Sequence, residues 1–179
     1  MTPAGAVTVR DATEADMATV QAIYAEAVRY GLASFEEMAP TLDDMLARRA
    51  KVLGQGLPWL VAELDGAVAG YAYASSYRDR SGYRYTIEDS VYVAKDMQGR
   101  GVGRALLAAL LERCNAGPWR QMVAVIGDSD NRGSIALHES LGFRMVGTLE
   151  AVGFKLGRWV DSVFMQIPLG EGGDTLPEG

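Results

Sequence analysis

The segment that most restricts this chain is Ser90-Val91-Tyr92-Val93, a short spacer, then Gln98-Gly99-Arg100-Gly101-Val102-Gly103-Arg104 running into Ala105-Leu106-Leu107. A β-type run meets a glycine-rich turn that opens an apolar helix. The first turn of a helix carries unpaired N–H groups and the positive end of the macrodipole. Glycines let a phosphate approach that backbone closely, and Arg100 and Arg104 add positive charge. The pattern reads as a pyrophosphate site. A P-loop needs G-x-x-x-x-G-K-[ST], and no such string occurs. A dinucleotide fingerprint needs G-x-G-x-x-G. Counted from Gly99 the last glycine falls on Arg104, and counted from Gly101 it falls on Leu106, so a nicotinamide oxidoreductase fails on register. A third pattern, Q/R-x-x-G-x-G/A, is met by Gln98, Gly101 and Gly103.

Composition narrows the setting. With 179 residues, 49% of them hydrophobic and 22% charged, the chain suits one globular domain with a sizeable core, over residues 1–169. Residues 170–179 are rich in Gly, Pro and acid and read as a disordered tail. No apolar run nears the roughly 18 residues that span a bilayer. Residues 1–10 lack a basic stretch followed by an apolar one, so no secretory signal is expected. The single cysteine, Cys114, rules out an intrachain disulfide and fits a cytoplasmic setting; one Cys and one His argue against zinc. A formal net charge of -6 without a basic run makes nucleic acid a poor partner, but a local cluster of amides and arginines can still hold phosphates.

Periodicity predicts mixed α and β elements. A strand is expected over 7–10, then a helix opened by the capping-box spacing of Thr13 and Asp16, with apolar Met17, Val20, Ile23, Tyr24 and Ala27. Thr41 and Asp44 repeat that spacing and open a second helix. Strands at 59–64 and 68–75 flank Asp65-Gly66, a two-residue hairpin signal. After a polar loop over 77–82, a long strand is expected over 83–93. A helix over 105–114, a buried-type strand over 121–126 and a helix over 134–141 stopped by Gly142 follow. The last strands are expected over 144–149 and 162–169. The order suggests an α/β fold with one mixed sheet and helices on both faces.

With these features in place, the loop around Gln98, Gly101 and Gly103 resembles the coenzyme A signature of the GCN5-related N-acetyltransferase superfamily. Asn131 followed by Ser134, Leu137 and Leu141-Gly142-Phe143 resembles that family's second cofactor segment. Phe35 after Ala33-Ser34, the run from Tyr85 through Glu88 to Val93, and residues 153–161 resemble the phosphinothricin and methionine sulfoximine N-acetyltransferase branch. The likeness covers residues 7–167.

The resemblance implies a mixed, mostly antiparallel, splayed sheet that binds acetyl-coenzyme A without a metal. It implies that Val91, Tyr92 and Val93 pair with the pantetheine arm and that Gln98, Gly99, Arg100, Gly101, Val102, Gly103 and Arg104 receive the pyrophosphate. Asn131 would contact the cofactor near its thiol end, Ser134 would also bind the cofactor, and a backbone N–H near Val93 would polarise the thioester carbonyl. An amine attacks only as a neutral nucleophile, so a base is needed. From the residues alone Glu88 reads as an exposed strand carboxylate; the resemblance makes it the base. Alternation sets it on one strand face with Arg84, Thr86 and Ser90. His138 stands where many relatives carry a tyrosine; acid to the thiolate, base to the amine and a packed residue all stay open.

For the substrate, Arg78, Arg80 and Arg84 could bind an α-carboxylate bidentately, or simply be solvated. Asp79, Asp89 and Ser90 could orient the amine, with Phe35 and Tyr77 as an apolar wall. The resemblance further implies a homodimer in which residues 153–161 serve both interface and site. The expected activity is transfer of acetyl to a small amino-acid-like amine. Acetylation of a protein or peptide amine, or a non-catalytic coenzyme A-binding regulator, are the rivals.

Overall fold

Residues 5–178 are described by a computed structural model. Residues 1–4 and 179 lie outside them, and with them part of the stretch scanned for a signal and the end of the expected tail. In chain order the elements are β1 (Thr8–Asp11), α1 (Met17–Tyr30), α2 (Leu42–Gly54), β2 (Trp59–Leu64) and β3 (Ala67–Ser76). Then come β4 (Thr86–Val93), α3 (Val102–Asn115), β5 (Gln121–Gly127), α4 (Arg132–Ser140), β6 (Arg144–Lys155) and β7 (Arg158–Pro168). The strands form one sheet in the order β1-β2-β3-β4-β5-β7-β6. Every neighbouring pair is antiparallel except β4 and β5. The mixed, mostly antiparallel sheet expected from the resemblance is therefore present.

Local chemistry explains the boundaries. Before α2, Thr41 and Asp44 form a reciprocal cap: Asp44 N–H donates to Thr41 Oγ1 at 3.1 Å, and Thr41 N–H donates to Asp44 Oδ2 at 2.9 Å. Asp65 and Gly66, at φ 54° and 81°, turn β2 into β3 in the primed geometry that matches strand twist. Helices cover both faces. On one, Tyr24 of α1 meets the Tyr92 ring edge-on at 5.0 Å, and Tyr92 stacks on Tyr71 at 5.4 Å. On the other, α3 comes so close that a Cβ on Gly70 would sit 3.1 Å from Val102 and 3.2 Å from Leu106. Trp59, Tyr71, Leu106, Leu107, Leu110 and Met122 fill the core between these layers.

Several local features differ from expectation. The strand expected over 83–93 starts at Thr86, because Ser81–Tyr83 form a 3₁₀ turn. Arg84 therefore precedes the strand and does not share the face of Glu88; it donates to Ser81 O at 3.1 Å and lies over the Tyr85 ring. α3 begins at Val102, earlier than expected, because Gly101 in the left-handed region at φ 84° already caps it. α4 likewise begins at Arg132, since the Asn131 side chain accepts from Ser134 N–H at the cap. β6 and β7 run through most of 153–161 as one long hairpin. Of the segment read as a disordered tail, residues 172–176 meet Arg120, whose guanidinium donates to Gly172 O, Thr175 Oγ1 and Leu176 O.

Candidate active site

Strands β4 and β5 pair only where Thr86, Ile87 and Glu88 face Gln121, Met122 and Val123. Beyond Glu88 they part, and a cleft of about 270 Å³ opens between them. Glu88, Asp89, Ser90, Val91 and Tyr92 line it from β4. Asn131, Ser134 and His138 line it from α4 and its cap, and Ala33 and Phe35 from the α1–α2 connection. The parted sheet thus gathers both expected catalytic residues and much of the expected cofactor and substrate set.

Some expected residues lie elsewhere. Arg78, Asp79 and Arg80 line a separate open depression with Ser76, Tyr77 and Tyr83, and the Arg78 guanidinium sits over the Tyr77 ring. Val93 and residues 98–104 continue past the cleft at the end of β4. There Gly99 and Gly101, at φ 72° and 84°, have no heavy atom within 4 Å of where a Cβ would stand. Gly101 offers α3 no side-chain cap, so the first-turn amides remain available. That bare, positive helix tip suits a diphosphate. Gly103 has a different reason to be glycine: its Cβ would come within 3.3 Å of Leu137 and 3.6 Å of Val93. Val102 is buried, so only its backbone could meet a ligand. Both loop arginines have protein partners: Arg100 donates to Asp65 Oδ2 at 2.6 Å, and Arg104 to Ser140 Oγ at 2.7 Å. Gln98 is exposed before the turn.

The cleft is electrostatically unusual. Burial, helped by the neighbouring Asp89 charge, pushes the Glu88 carboxyl up to about 7. Asp89 and His138 are both buried, and His138 Nε2 lies 2.9 Å from Asp89 Oδ2. His138 Nδ1 donates to the Ser134 carbonyl oxygen at 2.7 Å. Burial disfavours the imidazolium, but the Asp89 contact and the Ser134 carbonyl outweigh it and raise the ring above its ordinary value.

The pocket wall has supports whose contacts the sequence did not reveal. The α1–α2 connection is tied down by buried Lys155, whose Nζ donates to Ser34 O at 2.6 Å. Gly153 lets Phe35 in: a Cβ there would meet its ring at 2.7 Å. Tyr24 donates to Glu36, which also pairs with Arg48 at 2.6 Å. Residues 124–127 of β5 line the far side of the cleft and were missed as well. The signal that could have found them was the buried-type strand following the glycine loop. Lys155 lies in the 153–161 segment that the resemblance links to interface and site, but nothing in the sequence marks its contact with Ser34.

Comparisons with known proteins agree with this geometry. The acetyltransferase (GNAT) domain family matches residues 9–164. A phosphinothricin N-acetyltransferase of Alcaligenes faecalis is 57% identical over 173 residues, which cover 97% of this chain and 88% of that protein. An L-methionine sulfoximine/L-methionine sulfone acetyltransferase of Salmonella typhimurium is 41% identical over 165 residues, 92% of this chain and 96% of the relative. Among solved structures, a phosphinothricin acetyltransferase of Sinorhizobium meliloti in complex with acetyl-coenzyme A superposes with a TM-score of 0.93. It is 47% identical and covers 96% of this chain and 93% of its own.

Proposed function

The chain belongs to the acetyltransferase (GNAT) family, and on that premise we propose that it moves acetyl from acetyl-coenzyme A onto the α-amine of a small amino-acid-like substrate of phosphinothricin or methionine sulfoximine type. The observation that carries the chemistry is Glu88: a half-buried carboxylate on the cleft wall with its proton affinity pushed to about 7. A base poised near neutrality can take a proton from an ammonium on the way to attack and release it afterwards.

Acetyl-coenzyme A supplies the acetyl group as a thioester, whose carbon–sulfur bond breaks as the carbon–nitrogen bond forms and the thiolate leaves. The rest falls to the chain. The open glycine tip of α3 receives the diphosphate, with Arg100 and Arg104 beside it. The part of β4 left without a β5 partner, Val91, Tyr92 and Val93, offers backbone groups to the pantetheine arm. Asn131 and Ser134 stand toward the thiol end, and a backbone N–H near Val93 polarises the carbonyl. Glu88 takes the amine proton, directly or through one water. Ser90 and Asp89 orient the amine against Phe35. Arg78 and Arg80, with Asp79 between them, are the candidates for the substrate carboxylate. Holding both reactants in one cleft removes much of the entropic barrier.

A cleft of about 270 Å³ favours a small amine over a protein substrate. The raised Glu88 carboxyl favours catalysis over a coenzyme A-binding regulator. A homodimer is supported by the β6–β7 hairpin, which leaves Leu149, Val152 and Phe154 of β6 and Trp159 of β7 exposed. A cytoplasmic setting is supported by the free, buried thiol of Cys114. The test is an acetyl-coenzyme A consumption screen over amino acids, their analogues and an N-terminal peptide. Turnover with methionine sulfoximine or phosphinothricin and not with the peptide is expected; turnover with the peptide alone would overturn the substrate class.

A further inference from the structure

The notable group in the cleft is the one whose role the sequence left open. His138 is the sole histidine of the chain and is buried in α4, where it lines the cleft. A carbonyl oxygen only accepts, so Ser134 O at 2.7 Å requires the proton on Nδ1. A carboxylate also only accepts, so Asp89 Oδ2 at 2.9 Å requires a proton on Nε2 as well. The remaining neighbours do not alter this: the Ser134 hydroxyl is 3.5 Å from Nδ1, and the Phe143 ring stands edge-on at 4.9 Å. Both nitrogens are therefore engaged by acceptors, although His138 lines the cleft. Asp89 lines the same cleft but is only half engaged: its second oxygen, Oδ1, is buried with no hydrogen-bond partner among the described residues. A buried carboxylate left half unsatisfied is costly unless something meets it.

We propose that His138 is a positioning residue that exchanges no proton with either reactant: as a standing imidazolium it holds the Asp89 carboxylate turned so that Oδ1 receives the substrate's ammonium. This rests on the amine-acetylating reading of the cleft. Its consequence is a division of labour between neighbours on β4. Asp89 attracts the amine as a cation and Glu88 deprotonates it. Losing the imidazolium frees the Asp89 side chain to turn away, so the cleft loses its hold on the ammonium while Glu88 stays in place as the base.

The experiment compares His138→Gln, Asp89→Asn and the double variant with the wild type in steady-state kinetics. A loss carried mainly by the amine KM, about tenfold or more, with kcat and the acetyl-coenzyme A KM little changed, is expected for His138→Gln. The double variant should be no worse than Asp89→Asn alone, since the two act as one unit. A loss carried mainly by kcat at saturating amine, or additive losses in the double variant, would overturn the proposal, because His138 would then move a proton itself. A merely structural role would instead raise both KM values and lower thermal stability together in no fixed ratio, which also counts against it. Should the variants not fold, nitrogen-15 NMR of the one histidine in the wild type decides: both ring nitrogens protonated at pH 7.5, with and without acetyl-coenzyme A, is expected, and a neutral ring would sink it. Failure of the underlying reading looks different: the wild type would then yield no N-acetylated product from any amino acid.

Discussion

Glu88 and Asp89 are consecutive on β4 and point to opposite faces of the sheet, yet both line the same cleft because β4 and β5 separate just beyond Glu88. In an unbroken sheet the two carboxylates would serve different layers. Here the gap exposes both to one cleft, and the charge of Asp89 helps hold the proton on Glu88.

A base must be deprotonated to act, so kcat/KM should rise with pH to a plateau, with its midpoint at about 7. Glu88→Gln should lower kcat by about 10²–10⁴-fold and abolish that rising limb, with coenzyme A affinity nearly intact. Rate profiles of both proteins from pH 5.5 to 9 check this (a range of roughly two pH steps either side of the midpoint).

The same carboxylate should weaken the fold. Its proton affinity rises from an ordinary 4.5 to about 7 on folding, so the folded chain holds the proton more tightly than the unfolded one. Stability from this group is complete below the ordinary value and is lost as pH rises through about 7. Glu88→Gln should therefore stabilise the protein by about 1–3 kcal/mol near pH 8 and hardly at all near pH 4. Urea unfolding at the two pH values measures it.

Gly101→Glu should weaken coenzyme A binding by about tenfold or more. It forces a side chain onto φ 84° and sets a negative charge at the helix tip proposed to receive the diphosphate. No heavy atom lies within 4 Å of the added Cβ, so the chain should still fold. Titration calorimetry with coenzyme A, beside circular dichroism, separates the two effects.

If the β6–β7 hairpin is the dimer face, Trp159→Glu should give a monomer in analytical ultracentrifugation where the wild type sediments as two chains. Trp159 is 66% exposed and packs edge-on against Phe154 at 5.1 Å, so the change removes surface rather than core. Because Gly153 and Lys155 on the same hairpin hold Phe35 and Ser34, loss of the dimer should also raise the amine KM.

What the sequence made legible was local. The glycine loop, the Asp65-Gly66 turn and the Thr41–Asp44 cap each carry their geometry within a few residues, and each stands as expected. The parting of β4 from β5 was reached only through family resemblance, since nothing local marks where two strands stop pairing. The hairpin end was misread because Ala151, at φ 53°, sits where the β6–β7 register shifts between Leu149 and Gly153, and that irregularity looks like the end of a strand. The pairing of Asp89 with His138 spans 49 positions and joins two elements, so no spacing rule reveals it. Arg84 failed for a simpler reason: a 3₁₀ turn before β4 breaks the alternation that was carried back to it.

The most direct test follows the acetyl group itself. The purified protein is given methionine sulfoximine and acetyl-coenzyme A labelled in the acetyl carbon, and the label is traced by mass spectrometry. One labelled N-acetyl product for each coenzyme A released, with none retained on the protein, is the predicted result. Label on the protein, or free acetate without any N-acetylated amine, would contradict direct transfer within the cleft.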